Sequence, residues 1–284
     1  MKDTILFGDC RETLSAFIDK AQMCVTSPPY YGLRNYGGED KQIGQEDTPE
    51  EYIENLVSVF RSVRDTLTED GTLWLNIGDS YYNYRPGKGQ ALVKQSVSKT
   101  NQDLPTKCNR RANKLEGYKE KDLIGIPWLL AFALRKDGWY LRQDIIWNKP
   151  NPMPESVRDR CTKSHEYIFL FSKSKNYYFD VDAIKESTID GKGLKRKKSV
   201  WTVNTKPYKG AHFATFPPEL IEPCIMAGSQ KGDIILDPFM GSGTTGMVAK
   251  SLGRYYIGCE LNENYGKLIQ NRVSEYTINL EDFV

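Results

Sequence analysis

The sequence predicts an α/β fold with a doubly wound, mostly parallel sheet, and two observations support this prediction. Short apolar runs of strand length alternate with longer segments of helical spacing at both ends of the chain. Several of these runs are followed at once by glycine, proline or an acidic residue, as expected where the strands of an open sheet end at a ligand-binding edge. The 284 residues, 39% of them hydrophobic, are enough for one packed domain spanning 1–284.

The first half of the chain contains three predicted strands and three predicted helices. In order they are strand Thr4–Phe7, a helix from about Arg11, strand Ala21–Val25, a helix after Thr48, strand Thr72–Ile77 and helix Pro127–Lys136. Thr48 and Pro49 suit a helix start, because threonine caps the first N–H groups and proline fits the first turn. The apolar positions of this helix are Ile53, Leu56, Val57, Phe60, Val63 and Leu67.

The second half adds strands and helices in a similar alternation. They are strands Trp139–Trp147 and His165–Phe171, helix Pro217–Ala227, strand Asp233–Leu236, helix Thr244–Leu252, strand Tyr255–Gly258 and helix Glu263–Val273. We expect the first two of these strands to pair with each other.

Positive charge is concentrated in two polar segments, although the net charge is only +2. Residues 85–120 contain nine Lys or Arg against three Asp or Glu, and residues 185–210 contain eight against two. Residues 82–120 also lose apolar periodicity, which predicts a basic, flexible insertion. Such loops can simply be solvated, but two of them on an acidic body favour a surface that faces a polyanion.

Several classes of protein are not indicated by the composition. The six cysteines are scattered without a CxxC pair and there are only two histidines, so neither a disulfide framework nor a metal site is predicted. The start of the chain is not typical of a signal peptide, and no apolar run approaches the roughly 20 residues of a membrane span. We therefore expect a soluble, cytoplasmic protein with reduced and mostly buried cysteines and no membrane partner.

The most informative turn is Thr26-Ser27-Pro28-Pro29-Tyr30, directly after a short apolar run. Two consecutive prolines lack the N–H groups that a strand needs, so the chain must turn at this point. The turn then presents a hydroxyl, fixed carbonyl oxygens and an aromatic ring, which together can hold a planar ring by its exocyclic amino group. The structural alternative is a proline turn that merely ends a strand.

A second informative segment, 233–245, runs from an apolar strand into a glycine-rich turn that opens a helix. It lacks both the Walker A pattern and the full GxGxxG fingerprint. Asp237 at the strand end can attract a cationic amino group, and Glu260 after the next strand can accept hydrogen bonds from ribose hydroxyls. The pair suits a nucleoside that carries an amino acid and no phosphate, which describes S-adenosylmethionine. A helix start without a ligand is the alternative.

Together these two segments resemble the motifs of amino-group DNA methyltransferases. Asp237–Thr245 is similar to their cofactor motif and Thr26–Tyr30 to their catalytic motif. The catalytic motif precedes the cofactor motif, an order that resembles the circularly permuted beta class. Further stretches that fit the family are Gly71–Asp79, Trp147–Arg160, His165–Ser174 and His212–Leu220.

The resemblance implies a seven-stranded methyltransferase sheet of Rossmann-like type with inserted basic DNA-binding loops. It also implies roles for individual residues. The catalytic residues would be Ser27, Pro28, Pro29 and Tyr30. The cofactor-binding residues would be Asp9 at the adenine, Glu260 at the ribose, Phe213, Phe216, Pro217 and Leu220 at the methionine end, and Asp237, Pro238, Phe239, Gly241, Ser242, Gly243 and Thr244 in the loop. His165 is expected to be structural and His212 only a neighbour of the site.

The implied activity is methylation of a base in double-stranded DNA, flipped out of the helix onto Tyr30. Ser27 resembles the N4-cytosine enzymes, whereas N6-adenine enzymes of this class usually carry Asp or Asn there, so cytosine is favoured and adenine stays the alternative. Residues 175–212 are expected to recognise the target sequence. The family also allows a homodimer, an accompanying restriction endonuclease, and a bacterial or phage origin with association to the nucleoid. A methyltransferase for RNA or protein amides and a non-catalytic DNA-binding module remain open.

Overall fold

A computed structural model describes residues 2–17, 19–32, 42–82, 114–206 and 216–281 of the chain. These residues form ten strands. They are β1 (Thr4–Phe7), β2 (Ala21–Thr26), β3 (Leu67–Ile77), β4 (Tyr140–Asn148), β5 (His165–Ser172), β6 (Glu186–Ser187), β7 (Leu194–Lys195), β8 (Val200–Thr202), β9 (Ile234–Asp237) and β10 (Tyr255–Glu260). Eight of the strands form one sheet, and β6 and β7 form a separate antiparallel ribbon.

The sheet order is β1-β10-β9-β2-β3-β5-β4-β8. Only β5 runs antiparallel to its neighbours; all other pairings in this sheet are parallel. The last two strands of the chain therefore lie between the first two, which brings the N-terminal and C-terminal motifs to the same region of the sheet. The predicted pairing of the two middle strands is confirmed as the antiparallel contact of β4 with β5.

Helices cover both faces of this sheet. They are α1 (Cys10–Thr13), α2 (Pro49–Thr66), α3 (Ile126–Lys136), α4 (Pro218–Gly228), α5 (Thr244–Ser251) and α6 (Gly266–Glu281). The first three pack into one hydrophobic cluster and the last three into another. Strand β3 shows the separation directly, because Leu73, Leu75 and Ile77 belong to the first cluster and Trp74 to the second. The doubly wound α/β fold is thereby confirmed.

The sheet has eight strands rather than the expected seven, and β8 is the strand that the sequence did not predict. It lies inside the polar basic segment 185–210, where no apolar periodicity predicts a strand. Trp201 nevertheless becomes buried beside Trp74, with ring centroids 6.5 Å apart, and its backbone pairs with β4. A three-residue edge strand depends on its neighbour, so local pattern alone could not reveal it.

Strand β3 also begins earlier than the predicted Thr72. Helix α2 passes directly into it at Leu67, which the helical spacing had assigned to the helix. The register to β2 shifts between Ala21 and Met23, and a Cβ on Gly71 would lie 2.9 Å from the Leu67 Cβ. Glycine is therefore required where the strand is irregular.

Parts of the sequence predictions lie outside the described residues. This holds for residues 83–113, which make up most of the predicted basic insertion, and for His212 and Phe213. In the described part of the chain, no helix is long and apolar enough to cross a membrane. Of the described cysteines, Cys161 is exposed and the other four are buried.

Candidate active site

A cavity of about 780 Å³ opens at the carboxyl edge of the sheet. Strands β1, β2, β3, β9 and β10 run parallel, so the residues that follow or end them meet there. The cavity is lined by thirteen of the residues proposed from the sequence, namely Asp9, Ser27, Pro28, Pro29, Tyr30, Phe216, Asp237, Pro238, Phe239, Gly241, Ser242, Thr244 and Glu260. Both motifs thus contribute walls of one cavity.

Three further predicted site residues, Gly243, Pro217 and Leu220, lie outside the cavity lining. Gly243 precedes helix α5 with a φ of +82°, and a Cβ there would lie 3.0 Å from the Ile269 Cγ2. Only glycine combines this backbone conformation with such close packing. Pro217 precedes helix α4, and Leu220 within that helix is fully buried.

Asp237 joins the two motifs. Its carboxylate accepts hydrogen bonds from the Thr26 hydroxyl at 2.6 Å, the Thr245 hydroxyl at 2.5 Å and the Phe239 backbone N–H at 3.0 Å. Burial raises the pKa of Asp237, while these hydrogen bonds oppose the rise. Because Thr26 immediately precedes Ser27, this contact fixes the Ser27–Tyr30 turn relative to the glycine loop.

Glu260 ends strand β10 and holds the other side of the glycine loop. One carboxylate oxygen accepts from the Gly241 N–H at 2.8 Å and the other from the Asn262 N–H at 2.9 Å. Burial raises the pKa of Glu260 to about 7, with a smaller contribution from the nearby Asp237. The ionised form of such a carboxyl at a cavity wall can accept hydrogen bonds from a polar ligand, and the raised pKa means that ligand binding then competes with protonation.

Asp9 also lines the cavity, but its carboxylate is already engaged. It caps helix α1 through the Arg11 backbone N–H at 2.9 Å and pairs with the Arg11 guanidinium at 2.5 Å. The proposed contact of Asp9 with an adenine amino group would have to share these oxygens with Arg11. The role assigned to Asp9 stays a prediction.

The Ser27-Pro28-Pro29-Tyr30 turn is anchored to the core of the protein by a hydrogen bond. The Tyr52 hydroxyl donates to the Pro29 carbonyl at 2.8 Å, so that carbonyl is bound to the core helix α2. Of the two prolines, Pro28 is therefore the better source of a carbonyl acceptor for a ligand. The Tyr30 ring lies against Gly78, where a Cβ would come within 2.7 Å of the ring edge.

The sequence did not reveal the polar cluster that surrounds Tyr30. The Tyr30 hydroxyl donates to Glu166 at 2.7 Å, and Glu166 also accepts from the Asn76 amide at 3.3 Å and forms an ion pair with Lys149. Burial and the neighbouring Glu166 raise the pKa of Tyr30 well above its usual value, so the phenol stays protonated. The stretches that contain Asn76, Lys149 and Glu166 fit the family pattern, which was the available signal, but no role was assigned to them.

A second lysine, Lys163, also lines the cavity but has different hydrogen-bond partners from Lys149. Its ammonium donates to the Asp79 backbone carbonyl at 2.8 Å, and burial lowers its pKa. The Asp79 carboxylate accepts from the Gly125 and Ile126 N–H groups and thereby caps helix α3. Lys163 and Asp79 therefore tie the cavity wall to the neighbouring helix.

These contacts fit the nucleoside cofactor that the sequence suggested. A glycine loop that admits close approach lies between two carboxylates, the buried Asp237 and the partly buried Glu260, and Phe216 adds an apolar wall. Such a set can take a cationic amino group, ribose hydroxyls and a flat ring. Among the residues that the structure describes, no group of three His, Cys, Asp or Glu side chains is arranged to hold a metal ion.

Comparison with known proteins agrees with this geometry. Residues 21–271 match a protein family described as DNA methylase, of the N6 and N4 type. The chain is 52% identical over 276 residues to the type II methyltransferase M.SmaI of Serratia marcescens, covering 95% of this chain and 90% of that protein. It is 50% identical over 278 residues to the type II methyltransferase M.XycI of Xanthomonas campestris pv. cyanopsidis, covering 98% and 89%.

Solved structures share the fold at lower identity. The cytosine-N4-specific PvuII DNA methyltransferase superposes with a TM-score of 0.68 at 20% identity, over 96% of this chain and 86% of that one. M1.HpyAVI, solved as its SAM complex, superposes with a TM-score of 0.57 at 19% identity, over 95% and 98%. At such identities these two likenesses establish the fold alone.

Proposed function

Because the chain belongs to the N6 and N4 family of DNA methylases, we propose that it methylates the N4 amino group of a cytosine flipped out of duplex DNA. The protein is a DNA methyltransferase that uses S-adenosylmethionine. The observation that carries the finer proposal is that Ser27 and Pro28 open into the same cavity as Asp237 and Glu260. The Thr26–Asp237 hydrogen bond sets the two motifs against each other.

The cofactor supplies an activated methyl group on a sulfonium. Glu260 would accept hydrogen bonds from the ribose, and Asp237 would attract the amino group of the methionine end. The glycine loop would provide backbone N–H groups and room for close approach. Phe216 would exclude water from the methionine end.

The target amine is a poor nucleophile, because its lone pair is delocalised into the base. Ser27 Oγ and the Pro28 carbonyl would accept hydrogen bonds from its two N–H groups and so localise the lone pair on nitrogen. This is positioning and electrostatic stabilisation rather than general base catalysis. The amine becomes strongly acidic once methylated, so a neutral serine suffices at this position.

The target base must leave the stack to enter the cavity, since its amino group cannot be reached inside a duplex. Tyr30 would stack on the flipped base, and its ring is held for this by Gly78 and Glu166.

The relatives are type II methyltransferases of bacteria, which supports a chromosomal DNA substrate in the cytoplasm and a partner restriction endonuclease. A homodimer and a target-recognition role for residues 175–212 are further parts of this proposal.

The target atom is tested by methylating unmodified plasmid DNA, digesting it to nucleosides and identifying the product by mass spectrometry. N4-methylcytosine is the expected product. If N6-methyladenine alone appears, the adenine alternative replaces the cytosine proposal. Transfer of labelled methyl groups to RNA or protein but not to DNA would overturn the choice of substrate.

Base-resolved sequencing of the same DNA identifies the recognition sequence. Short duplexes that contain this site then serve as substrates for variants of the protein.

A further inference from the structure

The ion pair between Lys149 and Glu166 stands in the cavity beside the catalytic turn. Both side chains line the cavity together with Ser27, Pro28 and Tyr30. Each is only 16% exposed, so neither charge is freely solvated. The proposed methyl transfer, with its cofactor and base contacts, gives Lys149 no role.

The lysine ammonium has a fixed position. Glu166 binds it on one side, while the Tyr30 hydroxyl and the Asn76 amide hold Glu166 in place. The ammonium also lies 4.1 Å from the centroid of the Trp147 ring, a cation–π arrangement. A long flexible side chain is thereby held at one point of the cavity wall.

An ammonium group has three N–H donors and no acceptor. Glu166 takes one of them, which leaves two for a ligand as far as the described residues are concerned. The Watson–Crick edge of cytosine carries, beyond its amino group, two acceptors in a row, N3 and O2. Adenine offers only N1 beyond its amino group, followed by a C–H.

We propose that Lys149 is a specificity-determining residue that donates to N3 and O2 of the flipped cytosine, an inference that rests on the proposed function. With the amino group held at Ser27 and Pro28, the rest of the cytosine edge would meet the two donors of Lys149. Adenine would satisfy one donor and leave the other facing a C–H, a mismatch that costs binding.

Glu166 also affects the charge that the bound base experiences. An isolated cation at N3 would withdraw electron density from the base and make the N4 amine less reactive. The carboxylate paired with the ammonium keeps the net charge at the base edge near zero. Glu166 is therefore a positioning residue that holds both Lys149 and Tyr30 and limits the electronic cost of the contact.

The test compares cytosine and adenine at the target position in otherwise identical duplexes. An abasic site opposite the target makes flipping equally easy for both bases. Methyl transfer is measured in single-turnover reactions with labelled cofactor. For Lys149→Met, we expect the cytosine-to-adenine rate ratio to fall by about tenfold or more, the effect of removing one hydrogen bond to a charged group. Lys149→Arg, which keeps the charge and donors, should retain most of the ratio.

Lys163→Met is the matched control, because it removes the same charge from the same cavity. It should lower the rates on both bases by similar factors. If Lys149→Met also lowers both rates equally, or leaves the ratio within about threefold of the unmodified protein, the inference is overturned. If the unmodified protein itself makes no N4-methylcytosine, it is the proposed function that fails, which separates the two outcomes.

Discussion

Ser27 places a neutral hydroxyl where the proposed reaction needs an acceptor for an amino N–H. Replacement by alanine removes this acceptor but leaves the glycine loop and both carboxylates untouched. We expect Ser27→Ala to lower turnover by about 100-fold, the scale of removing one transition-state hydrogen bond, with cofactor affinity almost unchanged. Single-turnover methyl transfer and calorimetric titration of the cofactor measure the two quantities. Equal losses in both would contradict the role assigned to Ser27.

Glu260 makes cofactor binding depend on pH. Its pKa is raised to about 7, mainly by burial, so the carboxyl is largely protonated at pH 6 in the free protein. Ribose hydroxyls donate best to the ionised form, so binding should release a proton. We expect the cofactor affinity to rise by up to about tenfold per pH unit below pH 7 and to level off above it. Calorimetry in buffers of different ionisation enthalpy measures both affinity and proton release.

Glu260→Gln is the control for this pH dependence. The amide keeps the size of the side chain and cannot ionise, so its cofactor affinity should be weaker at pH 8 and independent of pH from about 6 to 8. The raised pKa also means that the free protein loses stability as pH rises from 4.5 to about 7, because the folded state must then hold an ionised, partly buried carboxylate. A Glu260→Gln protein with the same pH profiles as the original would contradict both statements.

Among the secondary-structure elements, the ends of strands β2 and β9 are joined by the buried hydrogen bond from Thr26 to Asp237. Thr26→Val keeps the shape of the side chain and removes the donor, leaving a buried carboxylate with one partner fewer. We expect a loss of about 1–3 kcal/mol in the free energy of unfolding. Denaturant unfolding measures this loss. The same substitution at Thr162, which is exposed, should change stability by less than about 0.5 kcal/mol.

The segment after strand β3 sets the position of Tyr30, the tyrosine proposed to stack on the target base. A Cβ on Gly78 would lie 2.7 Å from the Tyr30 ring and 3.3 Å from Glu166, so Gly78→Ala must displace one of them. We expect turnover to fall by about tenfold or more while cofactor affinity is retained, since a small shift of a positioned group is costly in rate. Gly193→Ala is the control, because its nearest neighbour would be 3.9 Å away. Unchanged turnover of Gly78→Ala would show that the ring position is unimportant.

Across the whole molecule, the proposed contact with DNA depends on how charge is distributed over the chain. The net charge is only +2, yet residues 185–210 carry eight Lys or Arg against two Asp or Glu. The antiparallel ribbon of β6 and β7 lies in this segment, with Lys192, Arg196 and Lys198 exposed. A strongly basic surface of this kind binds phosphates with an affinity that depends on salt.

We expect the dissociation constant for DNA to rise steeply with salt, while the cofactor affinity changes little. A double variant, Lys192→Gln with Lys198→Gln, should reduce the slope of log K against log salt by about 0.9 for each phosphate that the protein no longer neutralises. Fluorescence anisotropy at several salt concentrations measures the slope. Lys136→Gln with Lys231→Gln, two exposed lysines outside the basic segments, is the matched control. Equal slopes for both double variants would exclude the ribbon from the DNA contact.

The amino-acid sequence was enough to predict the fold class and the two main walls of the site. An apolar run followed by Ser-Pro-Pro-Tyr, or by Asp and a glycine turn, can be recognised in the sequence without knowing which segments lie beside it in space. The local pattern therefore identifies the strands that carry the proposed site residues at their ends. Parallel strands then place those ends at one edge, so Ser27, Asp237 and Glu260 could be brought together by argument alone.

The side chains that complete the cavity could be identified only from the three-dimensional arrangement of the chain. Tyr30 meets Glu166 across 136 positions of sequence, and Thr26 meets Asp237 across 211. Lys149 and Glu166 come from the ends of two antiparallel strands whose residues look ordinary in isolation. Edge strand β8 likewise depends on the burial of the Trp201 side chain beside Trp74. Such contacts depend on packing between distant segments, which composition and spacing along the chain do not encode.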